Sequence, residues 1–161
     1  MIAGKYYIDK LIKESGMKKP EVLWEEDIQV RYVETDQMGV VHHAHVPVYF
    51  EVARTALFKN FIKSYAAIER RGVFAPIIAY TVEIMAPAFY EDILTVRVMP
   101  MDYSGVRLTL SYELVRKETG ELLSTGFTTN VFVDEERKPV NIRNKYPEIY
   151  DMIMKVFEET D

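Results

Sequence analysis

The stretch Tyr32-Val33-Glu34-Thr35-Asp36-Gln37-Met38-Gly39-Val40-Val41-His42-His43-Ala44-His45, continuing as Val46-Pro47-Val48-Tyr49-Phe50-Glu51-Val52-Ala53-Arg54, carries a strand through a turn into a long helix. Upstream, Ile28, Val30 and Tyr32 alternate with Gln29 and Arg31, the period of a half-buried strand. Asp36-Gln37-Met38-Gly39 reads as a turn in which Gly39 can supply a positive φ. Pro47 suits the first residue of a helix, where its missing N–H costs nothing. From Tyr49 to Phe61 the apolar set is too broad for a narrow stripe, so the helix is expected to be buried over most of its circumference. All three histidines of the chain, His42, His43 and His45, fall at the start of this helix. A helix N-terminus offers unpaired N–H groups and a positive dipole end. A carboxylate beside it could act on a polarised carbonyl. The same residues could also form a metal site, or only a well-capped helix.

After the helix, Tyr65 to Arg71 reads as a short helix capped by Ser64 and closed by Gly72. The period then changes. Alternation runs through Ile78–Ala86, Leu94–Val98, Leu108–Leu114 and Leu123–Val133, with a tight turn at Glu118-Thr119-Gly120. Four strands with short connections form an antiparallel meander. Gly126, inside the last strand, signals a bulge or a close backbone approach. Tyr146–Glu159 closes the chain as a helix with Ile149, Tyr150, Ile153, Met154 and Phe157 on one side. One sheet and one very apolar helix pack best if the sheet curls around the helix. Residues 5–15 place Tyr7, Ile8, Leu11 and Ile12 at helical spacing before Gly16 and Lys18-Lys19-Pro20, so residues 1–25 are expected to be a helical appendage to a domain spanning 26–161.

Composition narrows the functions. A chain of 161 residues, 48% hydrophobic, suits one domain with a real core. A net charge of −5 argues against nucleic-acid binding. The absence of cysteine removes disulfides, thiol catalysis and cysteine-ligated zinc. No apolar run is long enough to span a bilayer, and charged residues interrupt the N-terminal segment, so a cytoplasmic location is expected.

The run from Tyr32 to His45 resembles the signature of the hot-dog-fold acyl-CoA thioesterases, most closely the 4-hydroxybenzoyl-CoA thioesterase type that includes the Tol-Pal-associated enzymes. Tyr49-Phe50-Glu51-Val52-Ala53-Arg54 is similar to that family's Phe-x-Glu-x-Ala-Arg helix, and Met85-Ala86-Pro87-Ala88 with Tyr90-Glu91-Asp92 resembles its link between the second and third strands. The resemblance covers residues 27 to about 145. It implies an α+β fold: a single hot-dog domain, a curled antiparallel sheet around a long central helix, here with extra N- and C-terminal helices. It implies hydrolysis of an acyl-CoA thioester without cofactor or metal, in dimers joined edge to edge, often paired into tetramers, with active sites at subunit interfaces.

By this resemblance Asp36 is the catalytic carboxylate, attacking the thioester carbon or activating a water. His43 marks the region that polarises the carbonyl, partly through its backbone N–H. Tyr32 matches a tyrosine found beside the catalytic Asp in some members, and is expected on the inward side of the first strand. Gly39, Val41 and His42 are assigned with Arg107 to substrate binding, and Arg97, Arg116, Lys117 and Lys138 are further candidates for the CoA phosphates. His42 and His45 depart from the family's aromatic and Asn or Ser. They sustain a metal reading with Asp36, which the spacing disfavours because no His-x-x-x-His pair exists. Glu51 and Arg54, at i and i+3, are read as a structural pair. The rival activities are a hot-dog hydratase or dehydratase acting on enoyl thioesters, and a non-catalytic acyl-thioester-binding protein.

Overall fold

The computed structural model describes residues 21–62 and 65–158. The expected N-terminal helix and the Ser64 cap lie outside the described residues. The described elements are β1 (Trp24–Gln29), α1 (Val46–Ile62), α2 (Tyr65–Glu69), β2 (Ile77–Ile84), β3 (Ile93–Tyr103), β4 (Arg107–Arg116), β5 (Leu122–Val131), α3 (Ile142–Lys145) and α4 (Pro147–Glu158). Short 3-10 turns at Tyr32–Glu34 and His43–His45 lead into α1.

All pairings are antiparallel, in the order β1-β3-β4-β5-β2. Residues 108, 110, 112 and 114 of β4 are buried beneath α1, with Phe50 of the helix stacked on Tyr112 at 4.6 Å. Gly126 sits where β2 crosses this packing: a Cβ there would meet the Thr81 carbonyl and stand 2.7 Å from Phe50. The sequence signal at this glycine is therefore a close approach. The curled sheet around one long helix is the hot-dog architecture.

Three expectations shift. The first strand begins at Trp24, within the segment assigned to the appendage, and ends before Tyr32. Its polar run Glu25-Glu26-Asp27 hid it, but Glu26 is half-buried because it accepts the Trp24 indole N–H at 2.9 Å, and Asp27 accepts the Thr95 hydroxyl of β3 at 2.7 Å. The central helix is buried on one side only. Tyr49, Phe50, Ala53 and Leu57 are enclosed, whereas Val48 and Val52 are exposed, because the sheet of one chain wraps only one face of the helix. The C-terminal helix is split: Asn141 caps α3 through the Arg143 N–H at 3.0 Å, and Pro147 starts α4, which buries Ile149, Ile153 and Val156.

Candidate active site

The turn after β1 is a small hairpin. The Asp36 N–H donates to the Val40 carbonyl and the Gly39 N–H to the Asp36 carbonyl, each at 2.9 Å, and Thr35 bridges Val41. Gly39 has φ +77°, and a Cβ there would touch nothing within 4 Å, so the backbone conformation rather than space calls for glycine. The Met38 N–H donates to Asp36 Oδ1 at 2.8 Å. Among the described residues no hydrogen bond reaches Oδ2. The turn bond thus holds one carboxylate oxygen of Asp36 and leaves the other without a described hydrogen bond.

The chain then enters the helix through the histidines. The His42 N–H donates to the Glu34 carbonyl at 2.9 Å, and His42 Nδ1 accepts the Ala44 N–H at 3.2 Å, capping the 3-10 turn. An imidazole nitrogen accepts only when unprotonated, so this cap assigns the proton to Nε2. His43 is the first residue of the turn, where the N–H has no partner within the helix. Among the described backbone bonds none is made by it. The rings of His42 and His43 stack at 4.1 Å, with His45 edge-on to His42 at 6.4 Å. Among the described residues no three His, Cys, Asp or Glu side chains are grouped to hold a metal ion.

Asp36 and His43 line a cavity of about 340 Å³. One wall is Val40 and Val41 with Val46 of α1; the other is the end of β2 and the β2–β3 link, residues 84–88; Leu114 and Leu123 are fully buried at its floor. The walls are joined by backbone: Val40 bridges Phe89, and the Val41 N–H donates to the Ala88 carbonyl at 2.8 Å. The family-like link and the Asp36 turn are therefore two sides of one opening.

Sequence reading missed Glu34 as an anchor. Its carboxylate is 2% exposed and accepts the Arg31 N–H at 2.8 Å, the Arg31 guanidinium at 2.9 and 2.7 Å, and the Tyr49 hydroxyl at 2.8 Å. Burial alone would raise its pKa, but these bonds and the Arg31 charge outweigh burial and hold it below the ordinary carboxylate value. Burial first, then the hydrogen bond to Glu34 and its charge, push the Tyr49 hydroxyl up. Glu34 thus fastens the site turn to α1, while its own carbonyl receives His42. A glutamate two residues before Asp36 reads as one more turn charge; the Arg31 spacing at i−3 was the available signal.

Other expected site residues are not brought together. Tyr32 does not face inward. It lies past the end of β1 in a 3-10 turn, is 78% exposed, and packs edge-on against Tyr90 at 5.7 Å rather than lining the cavity. Arg107 begins β4, roughly 23 Å along the strand from Leu114 at the cavity floor. Arg97 pairs with Glu25, Lys117 with Asp27 and Lys138 with Glu136. Arg116 pairs with Asp92 and also donates to the Pro87 carbonyl at 2.9 Å, which puts it nearest the opening. Arg54 is buried, 4.0 Å from the exposed Glu51.

The chain matches the model of the thioesterase-like superfamily over residues 30–157. It is similar to YneP of Bacillus subtilis strain 168, provisionally named an acyl-CoA thioesterase, with 35% identity over 76% of this chain and 88% of that protein. It is also 31% identical, over 66% of this chain and 79% of the relative, to the acyl-CoA thioester hydrolase YbgC of Escherichia coli O157:H7. Among solved structures, a DHNA-CoA thioesterase from Staphylococcus aureus superimposes with a TM-score of 0.78 and 31% identity, covering 83% of this chain and 90% of that one. With the hairpin carboxylate, the open helix-start N–H and the hot-dog sheet in place, the chain belongs to the thioesterase-like superfamily and is a thioester hydrolase.

Proposed function

We propose that the chain cleaves acyl-CoA to a free carboxylic acid and CoA, with Asp36 as nucleophile or general base and the His43 N–H as the donor to the carbonyl oxygen. The observation that carries this reading is the shared cavity: Asp36, whose carboxylate has one oxygen held and the other without a described bond, and His43, whose N–H makes no described backbone bond, both line one largely apolar space. As nucleophile, Asp36 adds to the thioester carbon, negative charge moves to the carbonyl oxygen at the His43 N–H, and the carbon–sulfur bond breaks. The CoA thiolate then takes a proton from water, and a second water hydrolyses the acyl–aspartyl anhydride. As base, Asp36 takes a proton from the attacking water and the anhydride is bypassed. Either course needs only the carboxylate, the N–H and water. Thiol release from an acyl-CoA panel tests it: Asp36→Asn should lose about 10²–10⁴-fold in kcat. Equal rates in the two proteins would remove Asp36 from the reaction.

The same reading includes a homodimer, or a tetramer of two dimers, acting in the cytoplasm. Support comes from β2, which among the described residues pairs with β5 alone and exposes Ile78, Tyr80 and Ile84, and from the exposed Val48 and Val52 of α1. Edge pairing between copies would cover these groups and close an open strand edge. Light scattering should give at least twice the 18.8 kDa chain mass; a monomer at micromolar concentration would refute the pairing.

A further inference from the structure

We infer that the outer face of the sheet, the one turned away from α1, is a docking surface for residues 1–20 of the same chain. The inference is independent of the Asp36 chemistry. β4 turns Leu108, Leu110, Tyr112 and Leu114 to α1, so Thr109, Ser111, Glu113 and Val115 face outward. The register runs one outward row through Met99, Ser111 and Phe127, and the next through Glu25, Arg97, Glu113, Thr125 and Glu83. The first row carries no charge. A sheet face left to water is polar and solvated. Here Met99 and Val115 are buried yet lie outside the core cluster beneath α1, and Ser111 and Thr125 are 1% and 4% exposed. The Ser111 hydroxyl and one carboxylate oxygen of Glu83 are enclosed without a hydrogen-bond partner among the described residues. Enclosed polar atoms call for partners, so this face is built to be covered.

Pattern, charge and reach all point to the N-terminal segment. Helical spacing puts Tyr7, Ile8, Leu11 and Ile12 on one side, a match for the uncharged row. Lys5, Lys10, Lys13, Lys18 and Lys19 outnumber Asp9 and Glu14, so the segment is positive in a chain whose net charge is −5. The charged row sets three carboxylates against Arg97, which already serves Glu25 and Glu113. A second copy fits less well, because a symmetric contact through this face would bring the acidic row against itself. The Leu23 N–H donates to the Val98 carbonyl at 2.9 Å, so the segment joins the sheet next to Met99. A connector over residues 16–20 reaches up to about 17 Å. A helix over residues 5–15 is about 16 Å long. That is enough to cross β3, β4 and β5, which lie about 10 Å from first to last.

The chain has no cysteine, so a single introduced thiol reports cleanly on cover. Ser111→Cys exchanges oxygen for sulfur at the enclosed position. In the full chain this thiol should react with a small alkylating reagent about a hundredfold more slowly than in unfolded protein, and adding Ile8→Asp with Leu11→Asp should speed it about tenfold. Ala53→Cys, on the enclosed side of α1, should stay protected in both backgrounds and shows that the fold is intact. Carbodiimide coupling of the unsubstituted protein needs no variant, and decides even where the aspartates loosen the fold. It should join Lys5, Lys10 or Lys13 to Glu83 or Glu113 within one chain, as read in a mixture of heavy-nitrogen and unlabelled protein. A Ser111→Cys thiol as reactive as in unfolded protein, or one whose protection survives Ile8→Asp with Leu11→Asp, would overturn the assignment. Links found only between differently labelled chains would make a second copy the occupant and overturn it too, as would the absence of any link from the segment to this face.

Discussion

Replacing Tyr49 by Phe removes one oxygen atom from the core and one donor from Glu34. The hydroxyl meets Glu34 Oε2 at 2.8 Å, where the tyrosine is 1% and the glutamate 2% exposed, so water cannot replace it. A hydrogen bond to a buried charged group is worth about 1.5–3 kcal/mol, and the ring itself still fits. We expect Tyr49→Phe to lose about 2 kcal/mol at pH 7, a fall of about 4–8 °C in Tm for a chain of this size. The pH dependence gives the cause. Glu34 has a folded-state pKa below its unfolded value, so its contribution is present above the unfolded value and is lost as pH falls through the folded one. Without Tyr49 the folded value rises, and the acid loss starts at higher pH. At low pH, where Glu34 is protonated in both proteins, the missing bond is a neutral one of about 1 kcal/mol. Urea unfolding followed by far-ultraviolet circular dichroism, in steps from pH 7 downward until Glu34 has taken up its proton, measures both differences. A destabilisation below 0.5 kcal/mol at pH 7, or one that stays constant across the whole acid titration, would refute the claim that Tyr49 stabilises an ionised Glu34.

Two further substitutions probe the frame around the site. Gly126→Ala places a methyl against the Thr81 carbonyl and Phe50, and should cost about 3 kcal/mol in urea titrations; a loss under 1 kcal/mol would show that β2 can shift to admit it. His42→Phe keeps the ring stack but deletes the nitrogen that accepts the Ala44 N–H, and should lose about 1 kcal/mol of thermal stability, whereas His42→Asn retains an acceptor and should stay near wild type. Equal melting of the two variants would remove the capping role.

Periodicity made β3 and β4 legible, because Leu94, Val96 and Val98, and Leu108, Leu110, Tyr112 and Leu114, recur at every second position and are all buried, whereas in β5 the buried Thr128 and Asn130 fall between the partly buried Phe127, Thr129 and Val131. It failed at β1, where the half-buried positions include Glu26, polar in sequence but satisfied by Trp24. It overstated the burial of α1, since apolar residues such as Val48 and Val52 look the same whether they face this chain's own sheet or open space. At the candidate site, the turn at Asp36 and Gly39 and the helix entry at His43 were legible because turn chemistry and helix entry are local. Tyr32 was misplaced by extending a strand's alternation past its end. Glu34 was overlooked because its partner on α1, Tyr49, stands fifteen residues away and no local rule joins them. The charges of Arg97, Lys117 and Lys138 were visible, but their carboxylate partners were not.

The opening is framed by two separate pieces of chain that meet through main-chain atoms at Val40–Phe89 and Val41–Ala88. Those bonds are indifferent to side-chain identity. Evolution or an engineer can therefore repaint residues 84–88 while the path of the Asp36 segment stays untouched. If Asp36 acts as proposed, selectivity and reactivity are independently adjustable dials.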